Sequence, residues 1–329
     1  MSTIYGNHIK ISITGTSHGP SIGVVLEGIP AGHDVDLEKL QSFLNRRAPG
    51  QGAHTTARKE ADIPEFQQGL ADGKTTGEAI DAIIRNTDVR SKDYEKLRDV
   101  PRPGHADFTA RMKYGDQVDL RGGGAFSGRM TAPLCIAGGI ILQILEKEGI
   151  TIETEIREIG GKSDCLYETI EAAKAAGDSV GGIIGCTING LPAGIGGPLF
   201  DGVENRISQM IFAIPAVKGI EFGRGFDAAR IRGSENNDSF YFDGDVVKTK
   251  TNNHGGILGG ITSGMPLTFN VAIKPTPSIA MEQDSISYSK GESVKLTIQG
   301  RHDPCIVPRA LPCVEAAAAI AIYDLIRGE

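Results

Sequence analysis

A layered α+β sandwich, with central helices between antiparallel sheets, is the fold class this sequence predicts. Three observations point to it. Two helical segments, around 132–147 and around 311–326, are apolar nearly all round, and such helices are buried on most sides. Strand signals at 9–13, 22–28, 151–158, 182–188, 267–273 and 294–299 do not alternate regularly with helices, which argues against a doubly wound parallel sheet. Finally, Gly23-Val-Val-Leu-Glu-Gly28-Ile-Pro-Ala-Gly32 recurs half a chain later as Gly185-Cys-Thr-Ile-Asn-Gly190-Leu-Pro-Ala-Gly194.

After the first copy of the repeated segment comes a helical pattern, Asp36 to Arg47, with Leu37, Leu40 and Leu44 on one face. After the second comes Val203 to Ile214, with Val203, Ile207 and Ile211 similarly spaced. Each half then ends in one of the apolar helices. The pattern reads as one domain over 1–329, built from two pseudo-equivalent halves of roughly 1–160 and 161–329. No linker-like stretch separates them. Segment 151–158 alternates imperfectly, as a sheet with one wet face would. Ala137, Gly138 and Gly139 permit close approach, so the apolar helices are expected to form a central layer.

Composition narrows the function. The net charge is −7, from 34 basic and 41 acidic residues, which disfavours a nucleic-acid binder. Local clusters of Arg can still hold a small anion. Trp is absent, so no aromatic stacking platform is expected. No apolar run reaches about 18 residues, so no membrane span is expected, and the polar N-terminus argues against secretion. The five cysteines form no CxxC pair, which reads as reduced thiols in a cytoplasm. The 44 glycines cluster at 122–124, 255–256 and 259–260, where backbone must pass close to other backbone or to a ligand.

Four segments combine charge with glycine: Gly15-Thr-Ser-His18-Gly-Pro, Arg102-Pro-Gly-His105-Ala-Asp107, Arg121-Gly-Gly-Gly-Ala-Phe-Ser127-Gly-Arg129 and Gly300-Arg301-His302-Asp303-Pro304. The last two each precede an apolar helix, whose N-terminal N–H groups suit phosphate. Plain capping by Ser127 and Asp303 is the simpler account. It does not call for three successive glycines beside two Arg, so an anion site is favoured. His18 and His105 lie in Gly-flanked turns and are the best proton-transfer candidates. His33 and His54 read as solvated loop residues, while His8, His254 and His302 stay undecided. Arg46 and Arg47 end a helix. Taken alone they read as cations favoured at a helix C-terminus. There is no phosphate loop, dinucleotide fingerprint, HExxH or Cys/His metal cluster, so no metal is expected.

In this order, the segments resemble the chorismate synthase family over nearly the whole chain. The resemblance also takes in Asn45-Arg-Arg-x-Pro-Gly50, Ala216-Val-Lys-Gly-Ile-Glu-Phe-Gly223, Gly255-Gly-Ile-Leu-Gly-Gly260, Lys274-Pro-Thr-Pro-Ser278 and Arg301-His-Asp-Pro-Cys305. It implies a lyase of the shikimate pathway that eliminates phosphate from 5-enolpyruvylshikimate 3-phosphate. Reduced FMN is required without net redox change. By resemblance, His18 protonates the departing phosphate, His105 stabilises the reduced flavin, and Asp303 lies near flavin N5. Ala125, Phe126, Ser127, Pro215, Ala216, Gly259, Lys274, Pro275, Thr276, Pro277, Ser278 and Arg301 line the FMN site. Arg46, Arg47, Arg102 and Arg129 hold the substrate; guanidinium groups suit its phosphate and carboxylates.

The resemblance further implies a cytoplasmic homotetramer. Some members reduce FMN with NADPH themselves; without a dinucleotide motif, an external reductant is expected here. The loops 50–53 and 122–125 are expected to order on ligand. Three positions depart from the family pattern. Thr16 stands where Glu is usual, Ala125 where Arg or His is common, and Ala48 where a third basic residue often follows Arg46-Arg47. These departures keep open an alternative, a relative that binds FMN and substrate but turns over poorly.

Overall fold

Alternating burial along the strands builds two large antiparallel sheets among the described residues, and two apolar helices fill the space between them. The computed structural model describes residues 3–50, 61–86, 96–298 and 303–328. The first sheet runs, in spatial order, Thr3–Tyr5, Lys10–Gly15, Ser21–Glu27, Ile80–Arg85 and Glu65–Gln68. The second runs Thr151–Ile159, Gly182–Asn189, Leu267–Ile273 and Val217–Phe222. All neighbours in both sheets are antiparallel. The helices are α1 (Leu37–Arg47), α2 (Asp107–Tyr114), α3 (Thr131–Lys147), α4 (Leu166–Ala175), α5 (Val203–Phe212), α6 (Gly233–Asn236) and α7 (Val307–Ile326).

Helix α3 packs on the first sheet, α7 on the second, and the two helices pack on each other. This is the layered sandwich expected from the sequence. Its centre is tight: a Cβ on Gly138 would lie 2.3 Å from Ala316 Cβ, and one on Gly139 would lie 2.6 Å from Leu40 Cδ1. Each mid-helix glycine costs about 1 kcal/mol. Burial of Ile136, Ile140, Ile141 and Ile144, at 0–1% exposure, returns about 1.5–3 kcal/mol apiece, so burial wins and α3 forms. Its extended span, Gly128–Lys147, is long and apolar enough to cross a membrane by composition, but it lies inside the protein as a core helix.

The two sheets share a connection order. In each, two paired strands are followed by a helix, then two more strands that complete the four-strand core, then a central helix. The repeated segments occupy matching places. Gly28 and Gly190 end the second strand at φ 88° and 84°, and Gly32 and Gly194 follow at 94° and 107°. Such angles favour glycine.

Several elements differ from expectation. Leu37 is 48% exposed, because α1 begins there with Asp36 accepting from the Glu38 and Lys39 N–H groups; only Leu40 and Leu44 face the core. Helix α7 starts at Val307, earlier than 311, since Pro308 sits in the first turn, where its missing N–H costs nothing. The strands at 65–68 and 217–222 carry too little apolar pattern to be seen in advance, whereas Ile80, Ala82 and Ile84 alternate inward as a strand does and carried a signal that sequence reasoning missed.

Candidate functional site

Three successive glycines organise the site. Gly122, Gly123 and Gly124 adopt φ of 58°, 89° and 53°, a region closed to most side chains. The loop folds so that His18 packs against Gly122: a Cβ there would lie 1.9 Å from His18 Cε1. A Cβ on Gly123 would lie 3.2 Å from His105 Nε2. Two histidines far apart in sequence thus meet neighbouring residues of one loop. Ser17 secures the contact, its hydroxyl donating to the Arg121 and Gly122 carbonyls at 3.1 Å each. Asp119 accepts from Arg121, and that bond, with the charge of His18 as well, holds its carboxyl below the usual range. Ser127 caps the turn that follows, accepting from the Arg129 N–H at 3.3 Å.

His105 is held from its other side. Its Nδ1 lies 2.7 Å from Asp107 Oδ1. Arg102 donates to both oxygens of Asp107, each at 2.7 Å. Burial alone would push the Asp107 carboxyl up, but hydrogen bonds from Arg102 and His105, with their charges, hold it well below the usual range. An ionised carboxylate only accepts, so the proton of the pair belongs on His105 Nδ1. Asp107 opens α2, where an acid is favoured.

Arg47 and Arg129 converge on Asp62. Arg47 Nε donates to Asp62 Oδ2 at 2.8 Å, and Arg129 pairs with Oδ1. All three side chains are buried. Burial pushes the Asp62 carboxyl up, yet the two guanidinium charges outweigh it and keep it low. Arg309 ties this group to α7, donating to the Arg47 carbonyl at 2.9 Å and pairing with Asp303.

These groups surround a cavity of about 600 Å³, within the roughly 300–1,000 Å³ usual for small-ligand sites. From the sequence-predicted residues it gathers Arg47, Arg102, Arg129, His105, Asp303, Ala125, Phe126, Ser127, Pro215, Ala216, Lys274, Thr276, Pro277 and Ser278. Among the described lining residues, four Arg and Lys274 face one carboxylate, Asp303. Asp62 and Asp107 lie just behind that lining as partners of Arg47, Arg129 and Arg102, so the five cations meet three carboxylates, a net positive field that suits an anion in a chain of net charge −7. Ala216 lines it at a φ of 77°, a strained value for a residue other than glycine.

Other expected residues lie elsewhere. His18 sits behind Gly122, and Gly122 itself lines the cavity. Pro275 lies between lining residues without lining. Arg46 turns away to make a two-pronged pair with Glu315 at 2.7 Å, which also ties α1 to α7. Gly259 joins the strands Ile257–Leu258 and Ile261–Ser263, with nothing within 4 Å of its would-be Cβ. Asp303 does not cap α7: its cap position is Ile306, and Asp303 instead meets Arg309 in the first turn. Arg301, His302, His54 and loop residues 51–53 lie outside the described residues. His254, undecided from sequence, is half-buried, with Nε2 3.3 Å from Asp238 Oδ2.

Sequence reasoning missed Asp62, Arg309, Thr131 and Cys313. Arg309 carried a signal, being a cation in the first turn of an apolar helix, where the dipole disfavours it. Asp62 carried none.

Comparison with known proteins shows the family. The family model described as chorismate synthase matches residues 9–326. The chain belongs to the chorismate synthase family. It is 47% identical to a chorismate synthase of Chitinophaga pinensis, covering 97% of this chain and 95% of that protein. It is 44% identical to one of Lancefieldella parvula (98% and 96%) and 42% identical to one of Korarchaeum cryptofilum (98% and 96%). A crystal structure of chorismate synthase superposes with a TM-score of 0.76 at 27% identity, covering 98% of this chain and 92% of that one. Membership makes the chain a carbon–oxygen lyase of aromatic amino acid biosynthesis.

Proposed function

We propose that the chain converts 5-enolpyruvylshikimate 3-phosphate to chorismate by 1,4-anti elimination of phosphate, in the cavity built on Gly122–Gly124, with reduced FMN and no net redox change. The carrying observation is the cationic wall: Arg47, Arg102, Arg129, Arg309 and Lys274 around about 600 Å³. A substrate with a phosphate and two carboxylates needs such a set, and so does the phosphate of FMN.

The residues present fit a flavin as well. Phe126, Pro215, Pro277 and Ile306 give apolar surface, and Ser127, Thr276, Ser278 and Lys274 give donors. Reduced FMN, when bound, supplies the electron density that assists loss of the phosphate. The chain's own residues do the rest. Arg47 and Arg129 bind and orient the substrate's anionic groups. His105, fixed by Asp107, presents Nε2 toward the Gly123 side and holds a proton there. His18, packed behind the Gly122 backbone, is the proton donor for the departing phosphate that the family resemblance implies. Asp303, oriented by Arg309, accepts the hydrogen lost from the substrate as a proton.

A second reading, tight binding with poor turnover, rests on Ala125, a lining residue with no polar group, and on Thr16. Asp119 counts against it, because its carboxylate lies close enough to His18 to be held down by the ring's charge.

The same proposal includes a cytoplasmic homotetramer and an external reductant for FMN, with NADPH one candidate. Phe240, Phe242 and Val247, at 49–77% exposure, share one face of the hairpin Phe240–Asp243/Val246–Thr249, an apolar face that supports assembly with further copies. We also propose that the halves are a pseudo-repeat. Their shared strand order and matched glycine turns support it.

The test is equilibrium titration with FMN, with and without substrate, followed by flavin absorbance. The wild type is expected to bind, and Lys274→Ala or Arg129→Ala to bind flavin or substrate at least tenfold more weakly. Undiminished affinity in both variants would move the site elsewhere.

A further inference from the structure

Helix α7 brings the Cys313 thiol to the cavity lining, and α3 places the Cys135 thiol directly behind it. Cys135 Sγ and Cys313 Sγ lie 3.9 Å apart, and both residues are buried. One turn further along each helix, Gly138 meets Ala316 at the closest backbone approach of the central layer. The two pairs advance together, so the backbones run side by side where the sulfurs face each other. A disulfide needs sulfurs about 2.05 Å apart on backbones in close approach. Here they need to close by about 1.9 Å.

The two thiols are not equivalent. Cys313 lines the cavity and Cys135 is not among its lining residues, so a small oxidant entering meets Cys313. The hydrogen bond from Cys135 and the positive charge of Arg47, helped by the Thr131 hydroxyl and Arg309, push the Cys313 thiol down. Burial, and then Cys313 itself, push the Cys135 thiol up. Asp62, whose charge reaches Cys135, is committed to Arg47 and Arg129. One sulfur is set to attack and the other to resolve, as in redox-sensing pairs.

We propose that Cys135 and Cys313 form a redox-active dithiol that a hydroperoxide oxidises to a disulfide tying α3 to α7 beneath the cavity. The Cys313 thiolate attacks one peroxide oxygen. The O–O bond breaks, hydroxide leaves and takes up a proton, and Cys313 becomes a sulfenic acid. The Cys135 sulfur then attacks the Cys313 sulfur. The S–O bond breaks, water leaves with the Cys135 proton, and the S–S bond forms. Two thiols lose two electrons, and hydrogen peroxide is reduced to two waters. The other cysteines lack such a partner arrangement: Cys186 and Cys305 have thiols pushed up by burial, and Cys165 stands at the start of α4 near Thr169.

The test treats the folded, full-length protein with hydrogen peroxide, blocks remaining thiols under denaturing conditions, and maps them by peptide mass spectrometry. Two of the five thiols are expected to disappear, in a linked pair of peptides holding Cys135 and Cys313 that dithiothreitol separates. In Cys135→Ala the same dose leaves a sulfenic acid on Cys313 that dimedone traps. In Cys313→Ala the Cys135 thiol survives that dose. Oxidation confined to Cys165, a link between two chains, or overoxidation of Cys313 in the wild type without a link would each overturn the proposal. None of these readouts depends on turnover.

Discussion

His105 Nδ1 stands 2.7 Å from Asp107 Oδ1 in the wall of the cationic cavity. The contact fixes which ring nitrogen is committed and leaves Nε2 directed to the Gly123 side. Replacing the carboxylate by an amide keeps the shape but removes the charged acceptor that orients the ring. Asp107→Asn is expected to lower kcat by about 100-fold, with a smaller change in KM. Steady-state kinetics at saturating reduced FMN checks it. An unchanged kcat would remove His105 from the chemistry.

A methyl group at position 122 has nowhere to go. It would overlap the His18 ring at 1.9 Å, on a backbone at φ +58°. Backbone strain alone costs about 1–3 kcal/mol, and displacement of His18 adds to it. Gly122→Ala is expected to lose most activity and to unfold at lower urea concentration. Gly233→Ala is the control: nothing lies within 4 Å of its Cβ position, so its stability should stay within about 0.5 kcal/mol of wild type.

Asp62 makes the arginine cluster sensitive to acid. Its folded carboxyl titrates below the ordinary value, because the charges of Arg47 and Arg129 outweigh burial. The stability it contributes is therefore fully present above about pH 4 and is lost as pH falls through the lowered folded value. Asp62→Asn should flatten the acid limb of a stability-against-pH curve. Asp62→Ala, which strands two buried guanidinium groups, should cost about 3–5 kcal/mol. Urea unfolding at a series of pH values measures both.

Asp324 joins the two ends of the chain. Its carboxylate accepts from the backbone N–H groups of Asn7, His8 and Ile9, at 3.1, 2.8 and 2.9 Å, and pairs with Arg206. Orphaning these donors costs about 1–3 kcal/mol each where they stay buried. Asp324→Ala is expected to destabilise by about 3 kcal/mol or more, and denaturant unfolding checks it.

The central layer was legible because α3 and α7 are apolar all round, and Gly138 and Gly139 announced their close approach. The sheets were half legible. Leu267–Ile273 alternates buried and half-buried residues, whereas Glu65–Gln68 is polar and pairs only at an edge. The glycine run at 122–124 marked the site, since only a demanding backbone path calls for it. What sequence could not supply was direction. Arg46 and Arg47 are neighbours, yet the helix turns one toward Glu315 and the other into the cavity wall. Asp62 is invisible for the same reason, as its partners lie 15 and 67 residues away and are joined only by packing.

The decisive measurement is anaerobic. The protein is mixed with reduced FMN and 5-enolpyruvylshikimate 3-phosphate, while chorismate absorbance, released phosphate and the flavin spectrum are followed together. Chorismate and phosphate appearing in equal amounts, with the flavin still reduced at the end, is the predicted result. Flavin oxidised in step with product, or flavin and substrate bound with no product formed, would contradict it.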